Sequence, residues 1–471
     1  MLFSSPLFLF FFLPLFALAY AVCPRNRKNT IILVGSLFFY AWAEPTFIAI
    51  VLASAFIDWI SGWLTFRSDS IASKLGWTWL GILNNLSLLF YFKYANFFLS
   101  SFGPILKSVN IPTPLLQVIL PIGVSFIVFE KITYVVDIYR GRGKPAENIF
   151  SYLVYVFFFP KLLAGPIVKY HDIEYQFEKR TEKLRDVEAG FLRFLSGLAK
   201  KLLLADCLAG SADAIFGAGG SSVGTVHAWF GALCFALQIY FDFSGYSDMA
   251  IGMARMMGFR LRENFNMPYT ATSFTDFWHR WHLSLSSWIR EYLYIPLGGS
   301  KVSALRTYCN LWICFLLSGL WHGASWTFVF WGFYHGLGLV CDRLFWLKIQ
   351  PKVPSLLSRT LTMFFILIGW VFFRAETFGK ALEFLHAMFT WQRPTEFILI
   401  GYDAVFVFLI AATFSFMPPS ALFTRFVRAI AQRRHLSVFR AARILGVFAL
   451  LIVCLGRASA SSFHPFLYFR F

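Results

Sequence analysis

FWHRWHLSLSSWIREYLYIPLGG (277–299) and LSGLWHGASWTFVFWGFYHG (317–336) hold four of the chain's nine histidines: His279, His282, His322 and His335. Arg280, Arg290 and Glu291 lie among them, and two long apolar segments begin or end there. A soluble protein keeps such groups at its surface. At bilayer depth they are costly, and an ionisable residue there marks a functional site by default.

Composition places the stretch in a membrane. Of 471 residues, 58% are hydrophobic and only 14% charged, against about 25% charged in globular proteins. Mean hydropathy is +0.63. The 59 Phe, 16 Trp and 19 Tyr suit lipid-facing surfaces and interfacial belts. A net charge of +18 on a soluble chain would point to nucleic acid. Here the basic residues sit in short loops between apolar runs, which is the pattern of topology signals and anionic-lipid contact. Seven cysteines, mostly inside apolar runs and without a CxxC, read as small core residues. They do not read as a disulfide framework or zinc site.

Outward from the central stretch, the first 150 residues alternate regularly. Leu2 to Val22 lacks a basic region before it and a small-residue cleavage site after it, so it reads as a span, not a cleaved signal peptide. Spans are expected at 30–42, 45–66, 77–99 and 115–138. Basic clusters at 25–28, 67–74 and 140–144 then fall on one side, the cytoplasmic one, with the N-terminus outside. Lys93, Glu130 and Lys131 intrude into these spans. The simplest expectation is that Lys93 snorkels or meets a backbone carbonyl and that Glu130 and Lys131 neutralise each other.

Beyond Phe150 the regularity fails. Pro160, Lys161, Gly165 and Pro166 break an apolar run, and such backbone is tolerated at membrane depth only inside protein or a wet cavity. A re-entrant element is expected there. Residues 178–188 read as a solvated amphipathic helix. A helix is expected at 191–209, interrupted by Lys200, Lys201 and Asp206, and a loop at 217–224. The 229–240 span should break at Asp242, Ser244, Gly245, Ser247 and Asp248, with Ser247 or Asp248 capping the next helix, which carries Arg255, Arg260 and Arg262. A Ser or Thr near 273–275 should cap one helix carrying both His279 and His282 on a shared face. Further spans are expected at 305–320, 325–340, 357–373, 402–417 and 442–455. The total is roughly eleven to thirteen membrane elements, at about 20 residues per full span. The chain reads as a single all-α membrane domain over 1–471, with N-terminal spans to 150, a catalytic core at 151–345 and C-terminal spans at 346–471.

His322 stands in WHG, flanked by Ser318, Gly319, Gly323, Ala324 and Ser325, small residues that allow a backbone or ligand close approach. An enclosed imidazole can act as a base near neutral pH, although a hydrogen-bonded core histidine fits the same context. His282, beside Trp281 and near Ser284, could orient a substrate or relay a proton, or simply be an interfacial histidine. His279 and His335 read as structural. With no HExxH, a metal site is not indicated. Walker A and GxSxG motifs are also absent.

MLFSSPLFLFFFLPLF (1–16), LPIGVSF (120–126), FFPKLLAGPIVKY (158–170), YFDFSGYSDMAIGMARMMGF (240–259), NFNMPYTATSFTDFWHRWHLSLSSW (264–288) and the WHG together resemble the membrane-bound O-acyltransferase (MBOAT) family. Within it, the likeness is to the bacterial alginate O-acetylase group, relatives of the D-alanyl transferases of teichoic acid. It covers nearly the whole chain. It implies peripheral helices around a thin centre, with funnels opening on both faces. The family's catalytic histidine falls on His322 and a second functional histidine on His282. Trp281, Trp321, Ser318, Ser325, Asp242 and Arg290 become candidate substrate-binding residues.

The implied reaction moves an acetyl group from a cytoplasmic thioester donor, acetyl-CoA or another acyl thioester, to O-acetylate an extracytoplasmic polysaccharide. No bound cofactor is implied. Alginate or an alginate-like exopolysaccharide is the expected acceptor, with peptidoglycan, cellulose and teichoic acid as alternatives. Implied partners are a periplasmic or membrane-anchored acetyltransferase and a polysaccharide synthase complex, at the bacterial inner membrane. A transporter is the main rival, but transporters usually show repeated halves, and here the polar groups crowd residues 240–335 without an earlier counterpart. A scaffold for a polymer synthase is a weaker rival, since it has no need of an intact His322.

Overall fold

A computed structural model describes residues 1–110, 116, 118–163, 165–395, 398–416, 437–460 and 466–467. The described residues form helices and connecting turns, with no strand among them. Among the described residues, four helices are long and apolar enough to cross a membrane: Phe47–Arg67, Thr225–Met256, Ser355–Arg374 and Arg440–Ala460. The expected spans at 30–42 and 77–99 correspond to Lys28–Ala43 and to Ile71–Leu89 continued through a π turn into Ala95–Ser108. The helix expected at 115–138 begins only at Val124, after Pro121 and a left-handed Gly123 (φ +78°), and runs to Tyr139. The span expected at 402–417 corresponds to Tyr402–Phe416; Leu115 and Met417 lie outside the described residues. Phe378–Phe389 adds a helix that the sequence reading did not separate. The chain forms two compact units, one of residues 1–191 and 250–262, the other of residues 192–249 and 263–471.

In the first unit, phenylalanines decide the packing. Phe159 meets Phe12, Phe16 and Phe39 at ring distances of 5.4, 4.9 and 5.6 Å. Polar residues pair across helices instead of along them. Lys131 reaches Asp58 at 3.0 Å, and Asn84 and Asn85 each donate to the same carboxylate at 2.9 Å. Glu130 pairs with Lys161 and accepts the Val168 N–H at 3.2 Å. Glu130 and Lys131 therefore do not neutralise each other. Neighbours on a helix point about 100° apart, so each finds a partner on a different element. The break after Phe157 and the short helix Phe159–Leu162 match the expected re-entrant element, and Lys161 ties it to Glu130.

The expected amphipathic helix at 178–188 divides. Tyr170–Lys179 ends before Arg180, and a new helix starts at Leu184. The gap is held by side chains facing the N-terminal helices: Arg180 donates to Asn29 at 2.7 Å, and Tyr20 donates to Glu182 at 2.6 Å.

In the second unit, the break expected at 242–248 does not occur. Thr225–Met256 runs through as one 32-residue helix, so neither Ser247 nor Asp248 caps anything. Three of the polar residues are satisfied sideways, while the buried Ser244 hydroxyl has no hydrogen-bond partner among the described residues. Asp242 pairs with Lys201 at 2.9 Å. Asp248 pairs with Arg193 at 2.7 Å and Lys200 at 2.6 Å. Ser247 accepts from Asn264 at 2.9 Å. Gly245 marks a backbone contact: a Cβ there would lie 2.7 Å from the Gly197 carbonyl. Lys200 and Lys201 sit in a π turn, Lys200–Ala205; the extra residue of such a turn redirects side chains, and here adjacent lysines meet different aspartates.

The helices Ala304–His322 and Trp326–Cys341 form the closest pair in this unit. Gly319 and Gly332 permit it. A Cβ on Gly319 would sit 2.2 Å from the Phe328 carbonyl, and one on Gly332 would sit 2.3 Å from the Phe315 carbonyl. Small residues that bring helices together are the normal device where no hydrophobic effect drives helix pairing.

Candidate active site

Every candidate site residue lies in the second unit. His322 is the last residue of Ala304–His322 and is 4% exposed. Three aromatic rings enclose it: Trp321 at 4.9 Å, Trp331 at 5.1 Å and Phe373 at 5.4 Å. The glycine contacts between the two helices carry Trp331 to that position.

His282 is fully buried. Its location corrects the expectation of a shared helix with His279. Ser273 does cap a helix, accepting the Asp276 N–H at 3.0 Å, but that helix, Phe274–Trp278, stops before His279. His282 instead caps the next helix, Leu283–Ile289, from a left-handed conformation with φ +46° and ψ +53°. A bulky residue there stores strain, which persists only where the surroundings over-determine it. Asn264 is the main surrounding contact. Its carbonyl oxygen Oδ1 accepts the Ser284 hydroxyl at 2.9 Å and backbone N–H at 3.2 Å. The same oxygen lies 3.1 Å from His282 Nδ1. Because Asn264 Nδ2 donates to Ser247, the network assigns Oδ1 as acceptor and Nδ1 as the protonated ring nitrogen. The lone pair is then on Nε2, which has no hydrogen-bond partner among the described residues.

Trp321 links the histidines, lying 6.2 Å from the His282 ring as well as against His322. Ser318 is one turn before His322, and its buried hydroxyl has no partner among the described residues. It opens onto a cavity of about 450 Å³, lined also by His279, Ser286, Ser287, Arg290 and Arg343. Arg290 and Ser318, distant in the sequence, thus share one cavity with a cationic end.

The remaining candidates have other surroundings. Trp281 is buried among Phe265, Phe277 and Trp370 at 5.1, 5.6 and 5.0 Å. The Ser325 hydroxyl is 2.7 Å from that of Thr327. Asp242 is buried, paired to Lys201, and accepts the Leu467 N–H at 2.8 Å. His335 is buried and receives the Trp278 indole N–H at 3.3 Å. Sequence reasoning did not single out Asn264, Arg343, Trp331 or Phe373. Asn264 opens the longest motif quoted for the family resemblance, which was the available signal.

Four membrane-length helices among the described residues, with an enclosed histidine beside a cavity lined by two arginines, have the form of a polytopic membrane protein. The model of the membrane-bound O-acyltransferase family matches residues 145–375. A protein named probable alginate O-acetylase AlgI, from Azotobacter vinelandii, is 38% identical over all of both chains. One of the same name from Pseudomonas aeruginosa is 43% identical over 83% of this chain and 76% of that one. A peptidoglycan O-acetyltransferase from Helicobacter pylori is 37% identical over 82% and 80%. The chain belongs to the membrane-bound O-acyltransferase family, and it is a multi-pass membrane O-acyltransferase.

Proposed function

We propose that this enzyme moves acetyl groups from cytoplasmic acetyl-CoA to hydroxyls of an extracytoplasmic polysaccharide, alginate or an alginate-like polymer, at the bacterial inner membrane. The carrying observation is the cavity that leads from Arg290 and Arg343 to Ser318, one turn from His322. Its basic lining suits the phosphates of an acyl thioester such as acetyl-CoA. The arginines and His279 hold the phosphates, and the thioester reaches Ser318.

His322 acts as general base. It takes the proton of the attacking hydroxyl as that oxygen bonds to the thioester carbonyl carbon. The tetrahedral intermediate collapses with cleavage of the C–S bond, and the thiolate takes the proton back from the imidazolium. Ser318 and the buried Trp331 indole N–H are the donors available to the carbonyl oxygen. His282 Nε2, with Trp321 beside it, orients the acceptor hydroxyl. The acceptor hydroxyl belongs either to the polymer or to a membrane-anchored or periplasmic acetyltransferase working with the polymer synthase. The Helicobacter pylori relative favours peptidoglycan as the second reading for the acceptor.

The test is ester-linked acetate on the exopolysaccharide, measured for His322→Ala and His282→Ala at wild-type membrane levels. Loss of acetate with His322→Ala is expected. Full acetylation would discard the role of His322. Arg290→Ala and Arg343→Ala should raise KM for acetyl-CoA by roughly tenfold each, as expected when a charged contact of about 1.5 kcal/mol is removed. Unchanged KM would remove the arginines from the donor site.

A further inference from the structure

Phe466 and Leu467 are completely or almost completely buried, at 0% and 2% exposure. The Leu467 backbone N–H donates to Asp242 Oδ2 at 2.8 Å. The other oxygen of Asp242 meets Lys201 at 2.9 Å, and Lys201 meets Asp206 at 2.8 Å. A charge-assisted acceptor and a buried cation therefore hold the backbone at this point. Beside it, the Phe466 ring lies 4.4 Å from Tyr246 and 5.8 Å from Phe243, crossing the latter at 60°. Phe243 in turn stands edge-on to the His282 imidazole at 4.6 Å and 82°.

These contacts form one line from the end of the chain to the site: Leu467 on Asp242, Phe466 on Phe243, Phe243 on His282. Asn264 fixes His282 through its Nδ1 edge. Phe243 bears on the ring from elsewhere, so it restricts rotation that a single hydrogen bond leaves open. An edge-to-face aromatic contact has a preferred geometry, and it transmits position only if the second ring is itself confined. Phe265, at 5.0 Å, and Phe466 supply that confinement from two sides of the sequence, and Phe466 is the one fixed by the Asp242 contact next to it.

We infer that Phe466 and Leu467 are positioning residues of the acyl-transfer site, locked by Asp242 and Lys201 and setting the plane of His282 through Phe243. The inference rests on the reading of His282 as a functional residue. Asp242 then serves the site as the anchor of this lock. A misplacement of about 1 Å in a catalytic constellation lowers rate by up to roughly a hundredfold.

The experiment measures acetyl transfer by the full-length protein in proteoliposomes, with acetyl-CoA and a polysaccharide acceptor, separating kcat from KM. Phe466→Ala should lower kcat ten- to a hundredfold with KM for acetyl-CoA unchanged, because the cavity bearing Arg290 is lined by neither residue. Phe466→Tyr, which keeps the ring, should restore most of kcat. Wild-type kcat in Phe466→Ala overturns the inference, as does failure of Phe466→Tyr to recover rate in a protein that melts like wild type. If Phe466→Ala does not insert, Phe466→Leu carries the same comparison. In a His282→Gln background, Phe466→Ala should change the residual rate less than twofold, because it acts through the ring that is gone. An undiminished effect there overturns the inference. Full activity of His282→Gln alone would instead mark failure of the reading of His282.

Discussion

His282 and Asn264 show what one residue can decide. Asn264 Oδ1 is shared among the Ser284 hydroxyl, the Ser284 N–H and His282 Nδ1. Removing it releases the ring and its tautomer together. Asn264→Ala should therefore lower kcat by at least tenfold, an order typical of losing a partner that orients a functional imidazole, while protein levels in the membrane stay near wild type. Retained kcat would mean that His282 needs no fixed tautomer. The histidines themselves were legible in sequence because WHG and RWHLSLS are local patterns. Asn264 was legible only as part of a motif, and Phe466 not at all. Its contact with Phe243 joins residues far apart in the sequence, and no periodicity encodes a contact of that separation.

Element boundaries were legible where apolarity alone sets them and misread where polar residues interrupt an apolar run. The segment FDFSGYSDMA (241–250) contains two aspartates, two serines and a glycine, which in water would end a helix. Here Lys201, Arg193, Lys200 and Asn264 receive the two aspartates and Ser247, and the helix continues. A sequence shows the polar group but not the partner that arrives from another helix. Close helix contacts were legible in part: Gly319 reads as one of the small residues that let a backbone approach, and the backbone it admits is that of Phe328. Gly319→Ala would place a Cβ 2.2 Å from the Phe328 carbonyl, and backbone cannot yield as a side-chain tip can. The expected cost is about 1–3 kcal/mol, read as a lower melting temperature in detergent, with loss of transfer as Trp331 moves off His322. An unchanged melting temperature would show that the helix pair has slack.

On the scale of the whole molecule, the first unit carries buried charge for which the proposed chemistry has no use. Lys131 and Asp58 are each at most 1% exposed at the side chain, as are Lys161 and Glu130. Breaking one member of such a pair costs about 3–5 kcal/mol, whereas replacing both by neutral groups of similar shape is far milder. Lys131→Met should therefore sharply reduce the amount of folded protein in the membrane. Combining it with Asp58→Asn should restore much of that amount, with kcat per folded molecule unchanged. Equal damage from the single and double variants would show that Lys131 has a role other than balancing Asp58.

The arrangement of these pairs also carries a history. The chain is made from its N-terminus, and membrane helices arrive in that order. When Val124–Tyr139 enters the membrane, Asp58 is already there and Lys131 can settle at once. Glu130 has to wait for Lys161, 31 residues downstream. Until the ribosome delivers that lysine, the helix holds an uncompensated acid, and the broken segment that follows is what completes it. The Glu130–Lys161 pair can therefore close only after the broken segment behind Phe157 has been made.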